Sequence, residues 1–534
     1  MTTDPASSHR VEPVRVGIAP SQERRARARL LDALEALYPV RFEAREPGDL
    51  RGLDALITVG AVGSHPLPTL VATGGELPPT TPRPVVLADD QALERTLRAA
   101  RLHDGATGPL PSHEVTEGGT VLATVDGQPA WITRGDTHVV AALPDELAAS
   151  ELLRERLLPG RCLALLALMH FLRGLTASRD WRPPPLRAAI VLDDPNLHWP
   201  TYGHLRYREL LEHAARQHYH LAVAMIPLDA WLVHPGAARL FREGADRLSV
   251  LVHGNDHDGG ELGRVGSVAD GQRLAAHALR RIERFERRSG VPVARVMVPP
   301  HERITDHALR GLAACGFEAV STARPFPWME SQASWLVHPD DADPLAACTP
   351  AFPSFGGLPN VLRLDFGHPR EELVLRAFLG QPLVVYGHHD DLADGLDVLG
   401  EVADQVNALG DVRWSALDEI VRAGAQTRVD GATLHVRPLA RRGAIEVPDG
   451  VDELRLVPGP CATGARELRW GLRGAPPSIA PANDELAAAV DAAGTYDFEL
   501  VGAPQRPLAA GRPRLRPLAR RIATEGRDRL RAVI

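Results

Sequence analysis

At 534 residues the chain is long enough for about two to four domains. Its 44% hydrophobic and 24% charged residues are those of a globular protein, and a net charge of -8 excludes the basic face that a general nucleic-acid binder needs. All 60 basic residues are arginine, which rules out chemistry built on a Schiff-base or general-base lysine.

Cys162, Cys315, Cys348 and Cys461 are widely spaced and form no CxxC pair, a usage that fits a reducing compartment. The N-terminus lacks the basic-then-apolar layout of a signal peptide. The longest apolar stretch, 162–172, is far short of the roughly 20 residues that cross a bilayer. A cytoplasmic protein without a transmembrane segment is expected.

In chain order, residues 14–19 read as a buried strand followed by a helix over 22–38. Apolar runs at 55–59, 85–87, 119–124 and 137–142 continue the alternation, which predicts a Rossmann-like α/β layer domain over 12–148. No GxGxxG or Walker sequence follows the first strand, so Gly60 reads as a turn glycine and not as part of a phosphate cradle. Residues 149–184 form a helical connector ending in the stiff Trp181-Arg-Pro-Pro-Pro185.

Strands then recur at 188–192, 221–226, 248–252, 294–298, 319–322, 361–364, 383–386 and 412–414, with helical stretches such as 205–218, 268–289 and 396–409 between them. This predicts a β/α barrel of seven or eight strands, closed or distorted, over 185–425. The insertion 324–360 is rich in Pro, Gly and aromatics, as a lid or binding loop would be. From 426 to 505 short alternating runs predict a β-sandwich. The tail, 506–534, carries nine Arg against Glu525 and Asp528. It is expected to be a solvated helix, with peripheral contact to an acidic membrane surface as the alternative.

Four polar clusters follow four apolar strands: Asp193-Asp194-Pro195-Asn196, His253-Gly-Asn-Asp-His257, Pro299-Pro-His-Glu302 and Gly387-His-His-Asp-Asp391. Strand C-termini of a β/α barrel converge on one rim, so residues nearly two hundred apart would share a cleft. Two histidines with three residues between them can place both imidazoles on one ion if the segment turns like a helix, and one carboxylate completes a facial set. Of two adjacent aspartates, one can ligate while its neighbour serves as a base.

These motifs resemble the polysaccharide deacetylase family, also called the NodB-homology or carbohydrate esterase 4 group. The resemblance covers under half of the chain. It implies Asp193 as catalytic base, Asp194, His253 and His257 as metal ligands, and His388 or His389 as general acid. It also implies a divalent ion, zinc first, with cobalt, iron, manganese or nickel as alternatives, and a carbohydrate or small acylated substrate. Asn196, His198, Trp199, His301 and Glu302 are expected to line the substrate pocket. The family's usual Gly after the Asp pair is Pro195 here, and its Ser or Thr after the first ligand histidine is Gly254. Its third-motif Arg, which pairs with the catalytic Asp, is missing before Pro299-Pro300. Arg324, at the end of the fifth strand, is expected to take that place. Two other readings remain at this stage: a catalytically inactive carbohydrate-binding or assembly protein, and a hydrolase of cyclic amides or formamides.

Overall fold

The computed structural model describes residues 12–60, 66–112, 118–329, 337–350, 357–457, 459, 461, 465–482, 486–490, 492–502 and 515–531. These fall into two compact units. Residues up to Trp181, with Pro339–Thr349 and Pro369–Leu379, form the first, and the remainder form the second. Much of the expected lid lies outside the described residues, at 330–336 and 351–356. No described helix is long and apolar enough to cross a membrane.

The first unit is built on a nine-stranded mixed sheet. Val40–Ala44, Val14–Ala19, Ala55–Val59, Thr69–Ala72 and Thr137–Val140 run parallel, and from there Gln128–Arg134, Thr120–Val125, Arg83–Leu87 and Arg101–Asp104 pair antiparallel. A Rossmann-like alternation is therefore confined to the start, where helices Gln22–Ala26 and Ala28–Leu37 connect the first two strands. The rest turns antiparallel because its connections are tight. Asp126 and Gly127, both at positive φ (49° and 75°), close a two-residue hairpin. Helix Leu163–Thr176 buries eleven of its fourteen residues, as its nearly unbroken apolar sequence requires.

In the second unit seven parallel strands close into a barrel: Arg187–Asp193, Leu221–Met225, Leu248–His253, Val293–Val298, Ala319–Thr322, Asn360–Asp365 and Leu383–Gly387, the last pairing back to the first. The eighth, Arg413–Trp414, pairs only with the start of the first. Ala188 to Leu192 are all fully buried, since a parallel strand is covered on both faces and reads as a continuous apolar run. Alternate residues, among them Ala189, Val191, Ala222, Ala224, Val296, Val298 and Ala319, share one cluster. Their small side chains suit the narrow interior of a seven-stranded barrel.

Two four-stranded sheets follow, one starting at Ala425–Asp430 and the other at Arg442–Val447. They share a core of Leu434, Val436, Leu468, Trp470 and Phe498, which makes them a sandwich. The chain's last described element is helix Leu515–Arg531.

Candidate metal centre

Asp193 ends the first barrel strand and His253 ends the third, so both stand on the same rim. Asp194 follows in the left-handed region (φ 82°), which turns its carboxylate over the mouth. There His253 Nε2 lies 3.7 Å and His257 Nε2 3.4 Å from Asp194 Oδ1. One donor atom from each of the three residues lies within 4.8 Å of the others. Asp194 Oδ1 is buried without a hydrogen-bond partner, an arrangement that costs free energy unless a cation stands beside it. His253 Nδ1 sits 3.0 Å from the Val298 carbonyl. A carbonyl only accepts, so Nδ1 carries the proton and the Nε2 lone pair faces inward. Burial, reinforced by His253, pushes the His257 imidazole down to about 4, leaving it neutral and able to ligate at pH 7.

The two histidines do not meet through a helical turn, as their spacing predicts. They are joined by a tight loop in which Gly254 (φ 61°) and His257 (φ 52°) are left-handed. A Cβ at Gly254 would stand 2.6 Å from Pro300 Cγ and 2.7 Å from Glu261 Oε1, so a Ser or Thr does not fit here. Glu261 shapes the loop by accepting the backbone N–H of Asn255 (2.6 Å), Asp256 (3.0 Å) and His257 (3.1 Å). Asp256 pairs with Arg281 and not with a ligand imidazole.

The partner of Asp193 is Arg363, not Arg324. Arg363 Nη1 and Nη2 each donate to one Asp193 oxygen at 2.8 Å. Its Nε donates to Glu302 Oε1 at 3.1 Å, and its guanidinium stacks 3.8 Å over the Tyr386 ring. Burial alone would raise the Asp193 carboxyl, but the Arg363 guanidinium outweighs it and holds the group below its ordinary value. Asp194 is likewise lowered, His253 and His257 outweighing burial. Arg363 points inward from the middle of strand Asn360–Asp365, one strand beyond the position expected. A lone Arg inside Val361-Leu-Arg-Leu364 was the available signal.

Of the late histidines, His388 is exposed and directly follows the last residue of the seventh barrel strand. His389 faces away. It is buried, 3.6 Å from Asp528, and stacks on His204 at 5.9 Å between ring centroids. His204, His389 and Asp390 make a second convergent donor group. The His301 ring stands edge-on to His257 at 5.3 Å. Glu302, besides holding Arg363, accepts the N–H of Ala323 at 2.6 Å. Both residues are left-handed (φ 57° and 58°), so the strained backbone gathers around this mouth.

The described part of the tail is docked on one face instead of being solvated all round. Helix Leu515–Arg531 lies across the barrel mouth on charged side chains. Arg521 Nη2 and Nε reach Asp229 at 2.6 and 3.3 Å, and its Nη1 stands 4.0 Å from Asp194 Oδ1. Glu525 lies 2.9 Å from His198 Nδ1 and accepts from Asn196 at 3.2 Å, while Asp528 accepts from Tyr202 at 3.3 Å. Asn196 and His198 thus hold the helix. Trp199 remains 52% exposed. The helical spacing of Arg521, Glu525 and Asp528 was the signal for one buried polar face.

Counted over this network, the carboxylates of Asp193, Asp194, Asp229 and Glu302 face the guanidiniums of Arg363 and Arg521. Two negative charges are left over, which one divalent cation would neutralise. The residues present therefore fit such an ion in charge, donor type and convergence.

No family model matches the sequence, and no curated protein matches it. Among solved structures, the chain is similar to a family 4 carbohydrate esterase from Streptomyces lividans in complex with acetate, at 11% identity over 44% of this chain and 94% of that one, with a TM-score of 0.27. It is similar to a CE4 esterase from Streptococcus mutans at 16% identity, covering 43% and 86%, with a TM-score of 0.25. It is also similar to the YdjI aldolase from Escherichia coli K12 at 11% identity, covering 42% and 89%, with a TM-score of 0.21. Likeness this distant carries no weight for the chemistry.

Proposed function

We propose that the second unit is a divalent-metal-dependent hydrolase that removes an acyl group from an N- or O-acylated sugar or a related amide or ester. The observation that carries this reading is the convergence of Asp194, His253 and His257 beside an Arg-clamped Asp193. Asp194, His253 and His257 would hold the ion, zinc first among those that take two imidazoles and a carboxylate. When bound, such an ion activates water and polarises the acyl carbonyl.

The chain's own residues do the rest. Asp193 accepts the proton of the attacking water. Arg363 fixes both Asp193 oxygens and keeps the carboxylate charged, so that it is ready to act as a base near neutral pH. His388, on the open side of the mouth, donates a proton to the leaving amine or alcohol. The left-handed backbone at Asp194 and His257 is the kind of strain that a folded chain keeps where a site requires it.

The test is acetate release by zinc-reconstituted protein from a panel of N-acetylated sugars, O-acetyl esters and cyclic amides. Release from an acetylated substrate is expected, falling by about 10²–10⁴-fold in Asp193→Asn while zinc content is retained. Opening of a cyclic amide with no acetate released would favour the cyclic-amide reading. No turnover of any substrate by fully loaded protein would return the barrel to a binding role.

A further inference from the structure

A surface helix ordinarily docks on an apolar stripe and turns its charges outward. Helix Leu515–Arg531 does the reverse. Arg521 and Asp528 are each 4% exposed, while Ile522 is 58% and Leu530 65% exposed. Burying a guanidinium costs several kcal/mol, which even a two-point pair such as Arg521 with Asp229 at best offsets, so mere attachment is a poor reason to sink Arg521 into the mouth. Its geometry supplies another. Asp229 takes the Nε and Nη2 edge, the Tyr202 hydroxyl also lies against the guanidinium, and Nη1 stands 4.0 Å from Asp194 Oδ1, the same oxygen on which His253 and His257 converge. Such a fork, fixed at one edge, offers the other to a carboxylate or carbonyl oxygen.

We propose that Arg521 is a substrate-contacting residue of the barrel site, its Nη1 edge donating to the oxygen of an acyl or carboxylate group bound beside Asp194, with Asp229 as its positioning residue. The inference rests on the metal reading above. It makes the site composite: strand ends supply the ligands, and an element beyond the sandwich supplies the anion contact.

The test is acetate binding to the cobalt-loaded full chain, read from the visible absorption of the cobalt. Arg521→Ala is expected to weaken acetate binding by about 10- to 100-fold with one cobalt still bound. Arg521→Lys, which keeps the charge but not the fork, should recover part of the loss. Glu525→Gln with Asp528→Asn is the control, because it loosens the helix without touching Arg521. Hydrogen exchange over 515–531 monitors docking in every variant. Equal acetate affinity in wild type and Arg521→Ala would overturn the inference and leave the metal reading standing. So would an equal loss in Arg521→Ala and the Glu525/Asp528 control, which would make the contribution one of helix docking alone. Failure of the wild type to bind cobalt would overturn both.

Discussion

Each unit buries a cluster of arginines and carboxylates, and the two clusters differ in their backbone and in the side chains that join them. In the first unit Arg154 and Arg376, each 1% exposed, flank the fully buried Glu372. None of these three residues is a histidine, and none has a positive φ. In the second unit Arg363, also 1% exposed, joins Asp193 and Glu302. There two imidazole nitrogens converge on one carboxylate oxygen, and Asp194, His257, His301 and Glu302 are all left-handed. Buried charge is common to both and so does not by itself mark a site. Convergent imidazole nitrogens and strained backbone distinguish the barrel mouth.

The comparison is best attacked first through stability. Arg363→Ala strands the buried Asp193 carboxylate and should cost about 3–5 kcal/mol in urea unfolding, whereas Arg154→Ala leaves Glu372 paired with Arg376 and should cost less. Only Arg363→Ala should also impair hydrolysis. Arg324→Ala should leave hydrolysis intact, and a loss of activity there equal to that in Arg363→Ala would reverse the assignment of the Asp193 partner.

Zinc should then separate the clusters. At about a thousand times its dissociation constant it should stabilise the wild type by about 4 kcal/mol, and Arg154→Ala by the same increment. Asp194→Asn should show almost none of it. Equal stabilisation of Asp194→Asn would move the ion elsewhere, and His204, His389 and Asp390 would be the next residues to test.

The smallest effect concerns the helix. Burial would raise Glu525, but His198 and Arg529 outweigh it and bring its carboxyl to about 2. Burial would lower His198, but Glu525 outweighs it and the imidazole is raised. The Glu525 contribution is complete above about 4.5 and is lost as the pH falls toward 2. The His198 contribution is complete below about 6.5 and is lost as the pH rises through the raised value. Docking should therefore be strongest between about pH 4.5 and 6.5 and weaken on either side by on the order of 1 kcal/mol after screening. Hydrogen exchange of the helix amides against pH, corrected for the intrinsic rate, reads this directly. A flat profile would remove the pair from the docking account.

Much of the barrel was legible because parallel strands covered on both faces read as apolar runs, and because the runs ending in Asp193-Asp194 and in His253 deliver side chains to one rim. What escaped the sequence was set by tertiary packing. Arg363 sits inside a strand, where an apolar run conceals it. The turn that unites His253 with His257 depends on Glu261 accepting three backbone amides, a contact that no spacing rule reports. The docked helix joins residues some 300 positions apart, and only the spacing of Arg521, Glu525 and Asp528 announced it. In the first unit the alternation of apolar runs concealed an antiparallel half. There the Asp126-Gly127 dipeptide carried the information about strand direction.

The most direct test is a cobalt titration of metal-free protein, followed by visible absorption and elemental content. The account predicts one equivalent per chain bound at the barrel mouth, lost in Asp194→Asn and in His253→Ala and kept in Glu372→Gln. An apo-protein that takes up no divalent ion, or full uptake that persists in Asp194→Asn, would contradict it.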